Sequence, residues 1–484
     1  MRHRYFVKFW MLGAAAVMLS SAVSAQKVDL STAREIGAYY LTSATDAKQL
    51  LDPDALEPTL QYDNATLCIP ALYVFNAKDD GFVVVSADER VEPVLAYSPS
   101  GYIDTTGNPA LQAILEGYAR LVTENQNNDV AVAPQVKAQW DEVYNHTLFL
   151  DNAKAGSLVK STWGQGSANS PTYNIMCPTK DGKHCITGCV ATAMGTIIHY
   201  WKYPVKGGTE GNYNAMTSWD GQTIRYKFRV DSNKFVYDSM PNKLSRTSVW
   251  EEKRAVGKLL FACGVTVGMK WGLDGSSASS NKVPEALWRY FGYSNKATYL
   301  KRDGVSDNEW NRLLHVEIEE NGRPVYYRAT SPRSTGTDAN HAFVICGVSG
   351  SSLNRYWVNW GWNGSSNGFY TLTPMASIER SSSYTFTDGH AMIHHIYPNK
   401  EGIMENSEMH VAPAFPNPAS GQITIPVDLT FNAILTVFAA DGSVVHHTIV
   451  PTGTKAYTLN LQGFAAGTYF YRLNGVSYKF SVVK

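Results

Sequence analysis

One stretch restricts this chain more than any other: Thr187 to Pro204, which reads TGCVATAMGTIIHYWKYP. From Val190 the large apolar residues fall at Val190, Met194, Ile197, Ile198 and Trp201, with Ala193 between them, the i, i+3, i+4, i+7 spacing of one helical face. The spacing predicts a buried helix that ends near Tyr203, because Pro204 turns the preceding residue away from helical angles, with Thr187 and Gly188 as cap residues. Cys189 then lies in the first turn, where unpaired N–H groups and the positive end of the helix dipole favour a nucleophilic thiolate. The competing reading of Cys189 is a small buried apolar residue, as most free cysteines are. The position needs partners before it implies chemistry.

A length of 484 residues suggests roughly three domains. The formal net charge is +0 and no basic run follows the first residues, which removes the electrostatic argument for a nucleic-acid partner. Residues 1–25 have the pattern of a secretory signal peptide: Arg2, His3, Arg4 and Lys8, then an apolar run from Phe9 to Leu19, then Val23-Ser24-Ala25 as a cleavage site. The run is short for a membrane span, so no stable span is expected once the signal is removed. Export permits disulfides, yet six cysteines in a chain of this length do not make a disulfide framework. Cys177 and Cys185 bracket the polar loop PTKDGKH and could bridge; the pairing of Cys68, Cys177, Cys185, Cys263 and Cys346 stays open.

Residues 26–155 read as a small α+β unit. Thr32-x-x-Glu35 resembles a capping box opening a short helix, Ala71 to Asn76 and Gly81 to Ser86 read as a hairpin, and Leu111 to Thr123 has helical spacing. Such a unit suits either a binding domain or a folding and inhibitory propeptide. Residues 156–400 are helical around Cys189, Trp250 to Gly264 and Val283 to Tyr290, and strand-rich from Pro324 onward, which predicts an α+β domain of two halves with a site at their junction. A polar linker, 401–412, precedes alternating strands over 410–484 that read as a small all-β sandwich without a catalytic cluster.

A cysteine nucleophile needs a base, and the base an orienting partner. His341 precedes the alternating run Ala342 to Cys346, and the next strand, Tyr356 to Trp360, follows a polar turn. In an antiparallel hairpin centred near Gly350, His341 faces Asn359, close enough for the amide to hold the imidazole in one tautomer. A slip by one residue would turn the side chain to the other face. Cys-His-Asn is one convergent form of the nucleophile-base-orienter triad. Trp360 and Trp362 follow at once; an indole there would keep water from the pair, and Trp360 is taken as a substrate contact, with core packing as the alternative. Gln165, flanked by glycines in STWGQG, is a candidate to join the Cys189 N–H in stabilising an oxyanion. A metal competes for Cys177, His184, Cys185, Cys189 and His199, but their spacing matches no common zinc pattern, and His199 lies nearly three turns from Cys189. No metal or other cofactor is expected. His390, His394 and His395 are taken as structural or surface residues.

The blocks KSTWGQG, YNIMCP, TGCVATAMGTIIHYWKYP, NHAFVICGV and YWVNWGWNGSSNGFYTL, in this order and spacing, resemble the streptopain family of secreted bacterial cysteine peptidases. LYVFNAKDDGFVVVSADERVEPVLAYSPSG is similar to that family's propeptide. The resemblance implies a papain-like fold made as an inactive zymogen, acting on protein or peptide substrates and inhibited by its own propeptide. It implies Cys189 as nucleophile, His341 as base, Asn359 as orienter and Gln165 in the oxyanion hole. Through the loop DGSSASSNKV it also implies backbone hydrogen bonds to substrate from Ser277 and from Asn340, where the family usually has glycine. The carboxy-terminal PNPASG and the ending YKFSVVK resemble the sorting domain of the type IX secretion system, which implies export across an outer membrane and a secretion-machinery partner. Two other functions stand beside the peptidase: a catalytically silent surface-binding protein, and a thiol amidase or transglutaminase. A plain binding sandwich is the alternative for the last domain.

Overall fold

A computed structural model describes residues 26–483 except 46–49, 107, 129, 149–156, 205–211, 220–221, 230–234, 332–338, 350–353, 379–388, 400–412, 428–432, 441–443, 451–452 and 474–475. The expected signal peptide and linker lie outside the described residues. The chain opens with helix α1 (Leu30–Thr45). Its cap is Asp29 rather than Thr32, for Asp29 Oδ1 accepts the Thr32 N–H at 2.8 Å. Strands β1 (Leu56–Asn64), β2 (Ile69–Ala77), β3 (Phe82–Ser86) and β4 (Val94–Ser98) form an antiparallel meander, with the anticipated hairpin as β2–β3. Helix α2 (Pro109–Asn128) follows, then α3 (Pro134–Tyr144), whose buried Val136, Trp140 and Val143 lie at i, i+4, i+7 on one face.

Two small hairpins, β5 (Thr179–Lys180) with β6 (Lys183–His184) and β7 (Asn212–Trp219) with β8 (Gln222–Arg229), flank helix α4 (Cys189–Trp201). Then come α5 (Trp250–Thr266), α6 (Val283–Phe291), β9 (Thr298–Lys301) and α7 (Asp307–His315), which runs into a π-helical turn, Val316–Glu320. The strands β10 (Val325–Ser331), β11 (Ala339–Val348), β12 (Arg355–Asn359), β13 (Gly368–Thr371) and β14 (Ala391–His394) complete this region.

These strands share one sheet with the amino-terminal meander, in the order β1-β2-β3-β4-β13-β12-β11-β10-β14-β9. The join is short: Tyr97 faces Phe369 and Ala96 faces Tyr370. Alternation along β11 divides the core. Val344 and Cys346 pack with α4 residues Met194 and Ile197, whereas Phe343 and Ile345 pack with α2 residues Leu111 and Leu115. A third cluster holds α1 and α3 against β2, β3 and β4.

The β11–β12 register differs from the expected one. Val344 pairs with Asn359 and Ile345 with Val358, and a bulge between Ile345 and Gly347 moves the next pair to Gly347 and Trp357. Asn359 therefore stands three residues beyond His341 along β11, an odd offset that turns the two side chains to different faces.

The carboxy-terminal segment forms two sheets around one core. β15 (Gln422–Pro426) pairs with β18 (Ala456–Asn460), and β16 (Ala433–Ala439), β17 (Val444–Val450), β19 (Gly467–Leu473) and β20 (Val476–Val482) lie in the order β17-β16-β19-β20. Ile423, Leu435, Tyr471 and Phe480 meet between them, the sandwich that the alternation predicts. Among the described residues no helix is long and apolar enough to cross a membrane.

Candidate active site

Helix α4 begins at Cys189 because Gly188, at φ 86°, turns the chain into it. A Cβ there would lie 2.9 Å from the Ser276 carbonyl oxygen and 3.0 Å from the Met269 side chain, so the approach needs glycine. Gly188, not Thr187, is the cap, and the Gly188 carbonyl accepts the Thr192 N–H at 3.1 Å. The Cys189 side chain is half-buried. Burial alone would push its thiol up. A hydrogen bond from His341 and that residue's charge, with the Ala342 and Val190 N–H groups, outweigh burial and hold the thiol below its ordinary value.

The remaining buried cysteines go the other way. Burial pushes Cys185 and Cys346 up to about 11, and Cys177 and Cys263 further. All six cysteines are free, so the Cys177–Cys185 bridge that the loop allowed is not formed. His199 packs tilted against Trp163, ring centroids 4.5 Å apart, and meets the Met240 carbonyl at 3.2 Å, and burial pulls it down to about 4.

His341, at the start of β11, is 6% exposed, and its Nε2 lies 2.8 Å from the Trp360 carbonyl oxygen. A carbonyl only accepts, so Nε2 carries the proton in that bond and Nδ1 is left to face the thiol. Trp362 stacks on the imidazole at 5.6 Å and 18°. Trp360 is fully buried, packed against Phe343 at 4.8 Å and Tyr370 at 5.2 Å. Its indole therefore serves the core and offers nothing to a substrate, which corrects the expectation; its backbone carbonyl is the part that meets the histidine.

Asn359 reaches the site indirectly. Its Oδ1 accepts the Gly361 N–H at 3.2 Å, fixing the turn that carries the Trp360 carbonyl. Its Nδ2 donates to the Ser161 carbonyl at 2.7 Å, tying this turn to the strand of chain that leads to Gln165. The direct Asn359 amide contact to the imidazole is replaced by that carbonyl, because the register places Asn359 opposite Val344.

Gln165 is buried, and its carbonyl accepts the Thr187 N–H at 3.0 Å, two residues before Cys189. Gly166, at φ 79°, allows Asn174 to fill the space beside it; Asn174 Nδ2 donates to the carbonyls of Ser167 and Cys185 at 3.0 and 3.1 Å. Asn174 is a buried organiser of the loop, and its signal in the sequence is only its place in YNIMCP. Ser277 is exposed, and its N–H and carbonyl both pair with Lys270 at 3.0 and 2.9 Å. Those backbone groups hold the loop together in this structure. The neighbouring Ser276 carbonyl is the atom that a Cβ on Gly188 would meet first. Asn340 is exposed, its backbone pairs with Thr330, and its Oδ1 accepts from Arg328 Nη2 at 2.5 Å.

The site thus combines an acidified thiol at a helix tip, an imidazole fixed in one tautomer and a buried glutamine loop. The peptidase C10 family model matches residues 163–370, which span all of them. Streptopain of Streptococcus pyogenes is 30% identical over 313 residues, covering 62% of this chain and 73% of streptopain. The chain belongs to the peptidase C10, or streptopain, family. It is a cysteine peptidase. The thiol protease/hemagglutinin PrtT of Porphyromonas gingivalis is 29% identical over 332 residues, 65% of this chain and 36% of that protein. Prointerpain A of Prevotella intermedia has a similar structure, with a TM-score of 0.53 and 26% identity over 71% of this chain and 98% of that one. The fold is papain-like, with a propeptide-like region before it. Residues 25–122 match the Spi protease inhibitor model, and residues 413–484 match a secretion system C-terminal sorting domain, which marks the chain for secretion.

Proposed function

We propose that this family member is an exported endopeptidase made as a zymogen, in which Cys189 is the nucleophile and His341 the general base and acid. In this reading residues 1–25 are a signal peptide, 26–155 an inhibitory propeptide, 156–400 the catalytic domain and 410–484 a domain read by the type IX secretion machinery. The Cys189 thiolate attacks the scissile carbonyl carbon, and the tetrahedral oxyanion is held by the Cys189 N–H and the Gln165 side chain. His341 then gives its Nδ1 proton to the leaving amine. Water, deprotonated by the same nitrogen, hydrolyses the thioester and restores the thiol. Asn359 acts as a positioning residue through the Trp360 carbonyl, and Asn340 adds a backbone contact to the substrate chain.

What supports this reading is Cys189 at the tip of α4, its thiol held below the ordinary value by His341, whose own Nε2 lies 2.8 Å from the Trp360 carbonyl oxygen. Processing is expected between about Asn127 and Lys160 and by the enzyme itself; parts of that segment, residues 129 and 149–156, lie outside the described residues. The test is labelling of reduced, processed protein with an epoxide inhibitor of cysteine peptidases, followed by peptide mapping. Label is expected on Cys189, with casein digested and peptidoglycan untouched. Absence of label would favour the binding protein, and cleavage of peptidoglycan the amidase. Cys189→Ala is expected to accumulate unprocessed, and its normal maturation would refute self-processing.

A further inference from the structure

At the end of β14, two strands from β11 in the sheet, Glu317, His394 and His395 each present one ligand atom, and the three atoms lie within 4.8 Å of one another. We propose that these residues bind a divalent transition-metal cation, zinc foremost, as a structural clamp that takes no part in peptide hydrolysis.

The donor set is two imidazoles and a carboxylate, which suits zinc and its neighbours better than calcium or magnesium. Because the three atoms lie within 4.8 Å of one another, an ion centred among them would sit no more than about 2.8 Å from each. Inward shifts of under ~1 Å bring the donors to about 2.0–2.2 Å, the usual zinc distances. Rotamer adjustment covers that.

Three features of the backbone and side chains converge on this point. Successive residues of a strand face opposite ways. His395, immediately after β14, has φ 60°, a left-handed conformation uncommon outside glycine, and that turn lets both histidines share one carboxylate. Glu317 comes from the π-helical turn, an arrangement frequent at functional sites. Its carboxylate is 2% exposed, with Oε2 accepting the His395 N–H at 3.0 Å and Oε1 3.7 Å from His395 Nε2. The His394 Nδ1 is buried with no hydrogen-bond partner, a group that folding has left unsatisfied.

Arg323 opposes the ion. Its Nη1 is 3.6 Å from Glu317 Oε1, and its guanidinium stacks on Tyr397 at 4.2 Å, so it balances the carboxylate when no cation is bound. The site is also remote from the chemistry. Tyr326 pairs with Ile393 and Ala329 with His341, which sets His394 level with Val325, four residues along β10 from His341. Four residues are about 13 Å of strand. A cation there ties the end of α7 to β14 without reaching the thiol.

The full chain carrying Cys189→Ala, reduced and free of metal, is titrated with zinc chloride by calorimetry. The same protein loaded with cobalt is read by absorption, because thiolate ligands give a charge-transfer band that imidazole and carboxylate do not. One equivalent of zinc, a cobalt spectrum without the thiolate band and a Tm rise of roughly 5 °C at saturation are expected. His394→Asn and His395→Asn should each abolish the stoichiometric binding. Arg323→Gln, which keeps all three donors, should tighten it at least ~tenfold. No stoichiometric binding, binding that survives in both histidine variants, or binding unchanged in Arg323→Gln would overturn the proposal.

Discussion

A buried ion pair joins the amino-terminal unit to the peptidase. Arg355, on β12, is 4% exposed because residues before the catalytic region cover it. Its Nη2 meets Glu92 Oε2 at 3.0 Å and the Val94 carbonyl at 2.7 Å, and its Nη1 bonds the Tyr40 hydroxyl. Glu92 is fully buried and also accepts from Asn354 Nδ2 at 3.3 Å and the Met375 N–H at 3.2 Å. Removing one member of such a pair leaves the other charge buried, which costs about 3–5 kcal/mol. Glu92→Ala should therefore raise the undocked population roughly 150- to 5000-fold, toward the lower end because Tyr40 and Val94 still hold Arg355. The assay uses full-length protein carrying Cys189→Ala, so that no self-processing intervenes, and follows cutting of the 127–160 segment by an added protease. When opening is fast relative to cutting, the rate follows the open population. Glu92→Leu combined with Arg355→Met should recover most of the loss, since an apolar pair of similar size replaces two buried charges at little net cost. Cutting within about twofold of the parent in Glu92→Ala, or additive effects in the double variant, would refute the reasoning.

Alkylation of Cys189 in processed enzyme should fall as pH drops through a midpoint below the ~8.5 of a free thiol. His341→Ala removes the hydrogen bond and the charge that most oppose burial and should raise that midpoint, measured from iodoacetamide rates against pH. Gly166→Ala places a Cβ 2.0 Å from Asn174 Oδ1 at a φ of 79°, so a loss of more than ~2 kcal/mol in unfolding free energy is expected, with kcat/KM falling as the Gln165 loop moves. Gly368→Ala puts a Cβ 2.7 Å from the Phe82 ring and 2.8 Å from the Tyr97 carbonyl oxygen. It should lower the Tm of the zymogen while leaving the processed enzyme's Tm unchanged, and equal losses in both forms would show that the clash is not with the amino-terminal unit.

Helix α4 and strand β11 were legible from the period of their large apolar residues, although the structure buries both on every side. Val190 through Trp201 show a 3.6-residue period, and Ala342 through Cys346 alternate between the α4 and α2 cores. Register was not legible in the same way. The pairs Gly347–Trp357 and Val348–Tyr356 centre the hairpin about two residues later than Gly350, which the sequence of the turn does not reveal; the bulge between Ile345 and Gly347 recovers one residue of that offset, and the His341 partner is the Trp360 carbonyl rather than the Asn359 amide. Backbone acceptors carry no sequence signature, so the side chain named as orienter was right in neighbourhood and wrong in contact. Trp360 and Trp362 show a related limit: two indoles one residue apart read alike, yet one is core and the other lies on the imidazole.

The amino-terminal unit read as separate because its hairpins and helices close locally, but its last strand completes the peptidase sheet. β13 would otherwise be an edge with unpaired backbone groups facing solvent or other chains. β4 covers it through only two residue pairs, made possible by Gly368 lying where any side chain would strike Phe82 and Tyr97. A ladder this short contributes little alone, so docking rests on the core that α2 shares with β10 and β11, on the apolar contacts around Phe369, including its stack on Tyr97 at 5.1 Å, and on the Glu92–Arg355 pair. In the proposed zymogen, that division of labour would suit a covering that holds before processing and is released after it. Few ladder bonds have to break, and once the chain is cut between the units, water can enter at the ion pair and solvate both charges. The charge pair is then the step at which release is set, which is why its removal should change opening far more than trimming any single ladder contact.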